Sequence, residues 1–130
     1  MNIKFVAKFY NRTKPIYNIF LQPFFSKGRL TVAKELNTQQ CNVLEIGCNQ
    51  GQITKHLNSN VTYLGVNVAD KCIIKAQKKA KAKSNITFDI MDGENTKIAD
   101  HSFDKIILMY VLSVTPTPMN LLAESNRLLK

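Results

Sequence analysis

The residues best suited to do chemistry stand together in one short run, Val43-Leu-Glu-Ile-Gly-Cys-Asn-Gln-Gly51. Gly47 and Gly51 let the backbone pass close to a ligand with no Cβ in the way. A helix starting just beyond Gly51 offers unpaired N–H groups and a partial positive charge to a carboxylate. Glu45, an acid near the end of the preceding strand, can pair with an ammonium. An amino acid carries both of those charges. The same glycines also suit a plain strand–helix turn, and nucleotide-binding folds of several kinds use related loops. Metal chemistry is not indicated. Cys41, Cys48 and Cys72 form no C-x-x-C pair and have no histidine cluster beside them, so no zinc site or disulfide framework is expected. An odd, unpatterned set of cysteines fits a reducing cytoplasm.

The elements that must position this run alternate in kind. Residues 42–46 are a short apolar run that suits a buried parallel strand. A short helix is expected over 52–57, a second strand over 61–68, and a helix from Asp70, a candidate N-cap, with Ile73, Ala76 and Ala80 at helical spacing behind it. A third strand is expected over 86–91, a fourth over 103–112, and a last helix over 118–129. Strands alternating with helices imply an α/β fold with a parallel sheet. The uncharged stretch 106–123 is long enough to span a bilayer, but Pro116, Pro118 and Asn120 make it a buried strand, a loop and a helix start.

The chain has 130 residues, enough for one domain, and 45% of them are hydrophobic and 21% charged, which excludes a disordered polymer. Its formal charge of +9 is uneven. Seven Lys or Arg (Lys4, Lys8, Arg12, Lys14, Lys27, Arg29, Lys34) face one acid, Glu35, in the first 40 residues, and six lysines fall within 71–83. The remainder is net acidic. Two basic surfaces point to an anionic partner, a membrane or a nucleic acid. Residues 3–36 read as helical with breaks at Pro15 and Pro23. Seven of the eleven Phe and Tyr residues lie in the first 25 positions, and Phe5 and Phe9 keep helical spacing beside Lys4 and Lys8. That is a basic amphipathic pattern of the kind that lies on membranes. The chain therefore divides into 1–38, an N-terminal amphipathic segment, and 39–130, the α/β domain.

The run from Glu45 to Gly51 resembles the E/D-x-G-x-G-x-G motif of class I S-adenosylmethionine-dependent methyltransferases. The motifs that follow keep the family's order. Tyr63-Leu-Gly-Val-Asn-Val-Ala-Asp70 is similar to the second-strand motif. Phe88-Asp-Ile-Met-Asp-Gly-Glu94 is similar to the third, and Ser102-Phe-Asp104 to the opening of the fourth. Glu124-Ser-Asn-Arg-Leu-Leu-Lys130 resembles the family's E-x-x-R-V-L-K helix. The resemblance covers 42–130 and implies a Rossmann-like fold with S-adenosyl-L-methionine as cofactor. It assigns the cofactor to Tyr17, Glu45, Gly47, Cys48, Asn49, Gly51, Asn67, Val68, Asp92, Gly93 and Met109. Asn67 would face the ribose, Asp92 the adenine amino group, and Gly93 would present its backbone to the ring. Two positions depart from the pattern. Asn49 replaces the middle glycine, though Asn best tolerates a left-handed backbone. Asn67 replaces an acid and keeps hydrogen bonding without the charge. The family normally continues for three further strands, so the fourth strand is expected to be an apolar edge that invites pairing. A fragment, a split enzyme, or an oligomer or partner chain covering that edge would each account for this.

The segments Tyr17-Asn-Ile-Phe-Leu-Gln-Pro-Phe-Phe-Ser-Lys-Gly-Arg29 and Met109-Tyr-Val-Leu-Ser-Val-Thr-Pro-Thr-Pro118 look like those of bacterial phosphatidylethanolamine N-methyltransferases. That likeness implies a phospholipid amine as acceptor, an anionic membrane surface as partner, and a peripheral place at the cytoplasmic face of the inner membrane. Tyr110 is the candidate catalytic residue, and packing in the core is the competing role for it. Three other functions compete. The first is methylation of a soluble small molecule or quinone precursor. The second is a non-catalytic remnant. The third is RNA methylation through the lysine-rich helix, which lacks the aromatic interleaving that base stacking needs, so no nucleic acid is expected.

Overall fold

The structure is a computed structural model that describes residues 22–130. Four strands, β1 (Cys41–Ile46), β2 (Val61–Asn67), β3 (Ile86–Ile90) and β4 (Lys105–Ile107), pair in parallel in the order β3-β2-β1-β4. Among the described residues three α-helices accompany them: α1 (Gln22–Leu36), α2 (Asp70–Ala80) and α3 (Pro118–Leu128). In β1 every residue but Asn42 is buried, because both faces of this central strand are covered. Cys41 and Val43 join Ala33 and Leu36 of α1 and Ile73, Ala76 and Ala80 of α2 in one core cluster. Leu44 and Ile46 join Val66, Phe103 and the α3 residues Leu121 and Leu128 in another. Each fully buried Leu or Ile among these contributes roughly 1.5–3 kcal/mol. The result is helices on both sides of a parallel sheet, a Rossmann-like α/β fold.

Each helix buries one stripe. In α1 the stripe is Arg29, Ala33 and Leu36, at spacings of four and three. In α2 it is Cys72, Ile73, Ala76 and Ala80, with the lysines on the opposite face. In α3 it is Leu121, Ser125 and Leu128, and Pro118 occupies the first turn, where its missing N–H costs nothing. The division expected at 38/39 falls in the turn between α1 and β1. Residues 1–21, with the amphipathic pattern and Tyr17, lie outside the described residues.

Several local expectations need correction. The break expected at Pro23 falls at the start of α1, which begins at Gln22 and holds Pro23 in its first turn, and the residues before it lie outside the described ones. Asp70 is the first residue of α2 rather than its cap. Ala69 holds the cap position, its N–H donates to Asn67 Oδ1 at 2.9 Å, and Asp70 supplies a first-turn acid. The helix expected after Gly51 is a 3₁₀ helix of five residues, Gln52–His56. The fourth strand is three residues long, not ten. The chain leaves the sheet after Ile107 and Tyr110 adopts a left-handed backbone (φ 61°). Consequently β4 is not a long exposed apolar edge. Ile107 is buried, and Phe103 forms a parallel bridge with Leu129. Beyond that bridge, no strand pairs with the outer side of β4 among the described residues.

The spacing of Glu124 and Arg127 has a structural role. Glu124 Oε1 accepts from the Thr96 N–H (2.8 Å), the Thr96 hydroxyl (2.7 Å) and Arg127 Nη2 (2.7 Å). Arg127 Nη1 also donates to the Ile98 carbonyl at 2.8 Å and to Asp100. The pair fastens the 94–100 loop to α3. Arg127 holds the Glu124 carboxyl down to about 2 from an ordinary 4.5. A carboxyl lowered by folding stabilises the fold above its unfolded pKa, and that contribution is lost as pH falls through the folded value. Glu124→Gln is therefore expected to lower stability by about 2–3 kcal/mol at pH 7. The gap should narrow steadily between pH 4.5 and 2. Urea unfolding of both proteins across that range checks it, and a gap independent of pH would contradict the ion-pair account.

Candidate functional site

The first three strands end beside one another, and the chain between them turns back over the sheet. Because β4 adds to the far side of β1, the connections diverge at the end of β1. Open α/β sheets hold their ligands at such a divergence. A cleft opens there. It is lined by residues that follow the ends of β1, β2, β3 and β4 and by Arg29 of α1.

The loop after β1 forms one wall. Gly47 (φ 77°), Asn49 (φ 53°) and Gly51 (φ 65°) are left-handed at every second residue. Asn49 thus adopts the conformation that the usual glycine would, and its Oδ1 accepts from the Cys72 thiol at 3.3 Å. The two glycines are also needed for space. A Cβ on Gly47 would lie 2.7 Å from Val111 Cγ2, and one on Gly51 would lie 2.3 Å from Phe88 Cζ.

Glu45 is 5% exposed and lines the cleft. The Tyr63 hydroxyl donates to its Oε2. Parallel register sets this up, since Val43 pairs with Tyr63 and Glu45 with Gly65, which leaves Tyr63 on the side of the sheet that Glu45 uses. Burial raises the Glu45 carboxyl above its ordinary range, opposed by the Tyr63 hydrogen bond and the charge of Arg29. Burial likewise pushes the Tyr63 hydroxyl up, and the Glu45 charge adds to this. The buried Cys48 thiol is raised by desolvation first and by Glu45 next, so it is a packed thiol rather than a nucleophile.

The cleft brings together Glu45, Gly47, Cys48, Asn49, Asn67, Val68, Asp92, Gly93, Met109 and Tyr110 from the motifs above. Gly51 shapes the loop but does not line the cleft. Asn67 Oδ1 is engaged by the Ala69 N–H, so its amide hydrogens are what it offers a ligand. Asp92 Oδ1 accepts from the Glu94 N–H at 2.9 Å, which fixes the turn after β3. Tyr110 lies beyond β4 rather than at its end. Its ring packs on Phe25 with centroids 4.0 Å apart, and its hydroxyl sits 2.6 Å from where a Gly28 Cβ would be. That ring is thus part of the joint between the cleft and α1.

Sequence reading missed three contributors. Arg29, counted with a basic surface, is 7% exposed and lines the cleft. Its spacing with Ala33 and Leu36 was the available signal. Tyr63 could be found only through strand register. Glu94 holds the roof of the cleft, since its Oε1 accepts from the Thr115 hydroxyl (2.7 Å) and the Thr117 N–H (2.8 Å). Among the described residues no cluster of His, Cys, Asp or Glu could hold a metal ion, and no helix is long and apolar enough to cross a membrane.

Known proteins share this fold. The family described as "Methyltransferase domain" matches residues 44–130. A phosphatidylethanolamine N-methyltransferase of Cereibacter sphaeroides is 23% identical over 130 residues, which cover 98% of this chain and 64% of that enzyme. This chain therefore spans just under two thirds of that relative's length. Among solved structures, the YcgJ protein of Bacillus subtilis superposes with a TM-score of 0.72 at 24% identity, over 80% of this chain and 47% of that one. A SAM-dependent methyltransferase from Methanosarcina mazei gives a TM-score of 0.66 at 22% identity, over 76% of this chain and 52% of that one. The [4+2]-cyclase SpnF also matches, with a TM-score of 0.72 at 20% identity, over 78% and 40%. Such likenesses show the fold, and folds of this kind host more than one chemistry. The family match covers most of the chain, and the buried acid, the left-handed loop and the cleft at the strand ends fit the cofactor it implies. The chain belongs to the methyltransferase-domain family, whose cofactor is S-adenosyl-L-methionine.

Proposed function

We propose that this chain takes part in methylating the amine of a phosphatidylethanolamine-type lipid at a membrane surface. One observation carries the acceptor. The methyltransferase-domain match begins at residue 44, whereas the similarity to the phospholipid enzyme extends over 98% of the chain and so includes the basic, aromatic N-terminal segment. Each Lys or Arg near an anionic surface contributes about 1 kcal/mol of attraction, and clustered aromatic rings suit the interface.

In this proposal Glu45 meets the ammonium end of the cofactor, Asn67 the ribose and Asp92 the adenine. Gly47 and the loop to Gly51 bring the backbone close to the chain between them. Met109 and Tyr110 stand at the acceptor end. The cofactor supplies an activated methyl on a sulfonium. The protein's own part is positioning the amine in line with it and excluding water. The left-handed conformation of Asn49 favours a working loop over a non-catalytic remnant.

The proposal is tested by co-sedimentation and by transfer of labelled methyl groups. The expected result is binding to vesicles of phosphatidylethanolamine with anionic phosphatidylglycerol, weakening as salt rises, together with label in the lipid fraction. Equal sedimentation with neutral phosphatidylcholine vesicles at low salt would remove the membrane surface from the account. Cofactor binding with transfer only to soluble amines would favour a small-molecule acceptor.

A further inference from the structure

Two helices on one side of the sheet carry the same outward pattern. One core cluster joins Ala33 and Leu36 of α1 to Ile73, Ala76 and Ala80 of α2, so both helices cover the same face. Opposite its buried stripe, α1 exposes Lys27, Leu30 and Lys34, at spacings of three and four. Opposite its own, α2 exposes Lys71, Ile74, Lys75 and Lys78, which share one side of the helix. Leu30 and Ile74 are 39% and 47% exposed, so each helix shows one large aliphatic side chain among lysines. The 3₁₀ helix that links them adds the exposed Lys55. On one side Asn37 Nδ2, in the turn after α1, donates to the His56 carbonyl at 2.8 Å. On the other, Lys83 Nζ, just past α2, donates to the Thr54 carbonyl at 2.7 Å.

A solvated helix face commonly mixes its charges. These faces do not. Lys71 and Lys75 are four residues apart and Lys75 and Lys78 three, and like charges at those spacings weaken a helix. Among the described residues no carboxylate answers them, nor Lys27 or Lys34, since the ion pairs use Lys105, Arg127 and Lys130. Lys79 and Lys83 differ, because their ammonium groups donate to Gln50 Oε1 and to the Thr54 and Leu57 carbonyls. Residues 84–130 hold four Lys or Arg against six Asp or Glu. The excess positive charge of the described residues therefore belongs to the side of α1 and α2.

A lysine puts a compact charge on a long apolar stem, and a ring of lysines around one aliphatic residue suits a surface that is anionic outside and apolar beneath. Nucleic acid is better met by arginine forks and stacking rings, and the two stripes contain neither. We infer that the outer face of α1 and α2 docks on an anionic lipid surface, with Leu30 and Ile74 entering it. This rests on the membrane reading proposed above and adds which side of the domain meets the lipid. The same helices wall the cleft, through Arg29 of α1 and through Ala69 and Cys72 at the start of α2, so a bilayer on this face lies beside the cleft.

The chain has no tryptophan, so a single introduced one reports its own surroundings. Leu30→Trp, Ile74→Trp and, on α3 across the sheet, Met119→Trp are each mixed with vesicles of phosphatidylethanolamine and phosphatidylglycerol. Emission should move to the blue for the first two and stay in place for Met119→Trp. Co-sedimentation reads the charge. Lys75→Gln with Lys78→Gln should lower vesicle affinity about 30-fold at low salt, about fivefold for each lysine, and Lys75→Arg with Lys78→Arg should keep it. Lys97→Gln with Lys130→Gln, an equal change of net charge elsewhere, should cost less than about threefold. A blue shift at Met119→Trp, its absence at Leu30→Trp or Ile74→Trp, or equal losses for the two Gln pairs would overturn the inference and leave vesicle binding standing. Wild type that sediments with no anionic vesicle would remove the membrane reading and this inference together, and retention of single-stranded RNA in that case would give the lysine face to nucleic acid.

Discussion

Gly51→Ala should be the most damaging single-methyl change in the cofactor loop, costing about 2–5 kcal/mol and abolishing measurable binding of S-adenosylhomocysteine. Two effects add. A left-handed backbone costs an L-residue roughly 1–2 kcal/mol, and Gly51 has φ 65°. The new Cβ would also lie 2.3 Å from Phe88 Cζ. That ring cannot swing aside freely, because it is buried and meets Tyr63 edge-on with centroids 5.7 Å apart. Overpacking of this kind typically costs about 1–3 kcal/mol. Asn49→Gly is the control. Its backbone is already left-handed, so its stability should move by less than about 1 kcal/mol. Urea unfolding of the two variants decides the matter. If Gly51→Ala proved as stable as wild type, the tight packing of the loop on Phe88 would be wrong.

Glu45→Gln is expected to weaken S-adenosylhomocysteine binding about 100-fold, or about 2.7 kcal/mol, because a buried carboxylate is lost from opposite an ammonium. The pH dependence sharpens this. Burial raises the Glu45 carboxyl, so the free protein protonates it at a higher pH than an exposed glutamate. Only the ionised form pairs with the ammonium. Wild-type affinity should therefore fall as pH drops through that raised value, approaching about tenfold per pH unit. The Gln variant should show no such slope. The sign for stability is opposite to that of Glu124. A carboxyl raised by folding favours the ligand-free fold at low pH, and that contribution is lost as pH rises through the folded value. Titration calorimetry between mildly acid and neutral pH measures the slope. Parallel profiles for wild type and variant would move the ammonium away from Glu45.

Much of this site can be read in one dimension, and the reason is physical. The strand ends of a parallel sheet fall on one side of the molecule, so motifs that follow successive strands must meet. That is why Glu45, Asn67 and Asp92, each near the end of its own strand, line one cleft. The Asn49 turn was legible because conformational tolerance belongs to the residue itself. What could not be read depended on tertiary packing. An apolar run such as 103–112 looks alike as strand or as loop. In the fold the chain leaves the sheet after Ile107 and Val111 docks against Gly47. Arg29 belongs by composition with the exposed lysines, and only its helical spacing with Ala33 and Leu36 hints that it turns inward. Tyr63 reads as one more aromatic in a strand until its pairing with Val43 is known.

The two core layers are unequal. The one under α1 and α2 is broad, with fifteen buried residues from Ala33 to Ile107, whereas the one under α3 has six, Leu44 and Ile46 among them. Local opening begins where least apolar surface is at stake. The thinner side is therefore expected to unravel first, and the Glu124–Arg127 clasp on Thr96 adds an electrostatic restraint to its apolar contacts. Acid between pH 4.5 and 2 should thus loosen this half of the molecule before it disturbs the wall that carries the left-handed loop, a sequential rather than all-or-none response.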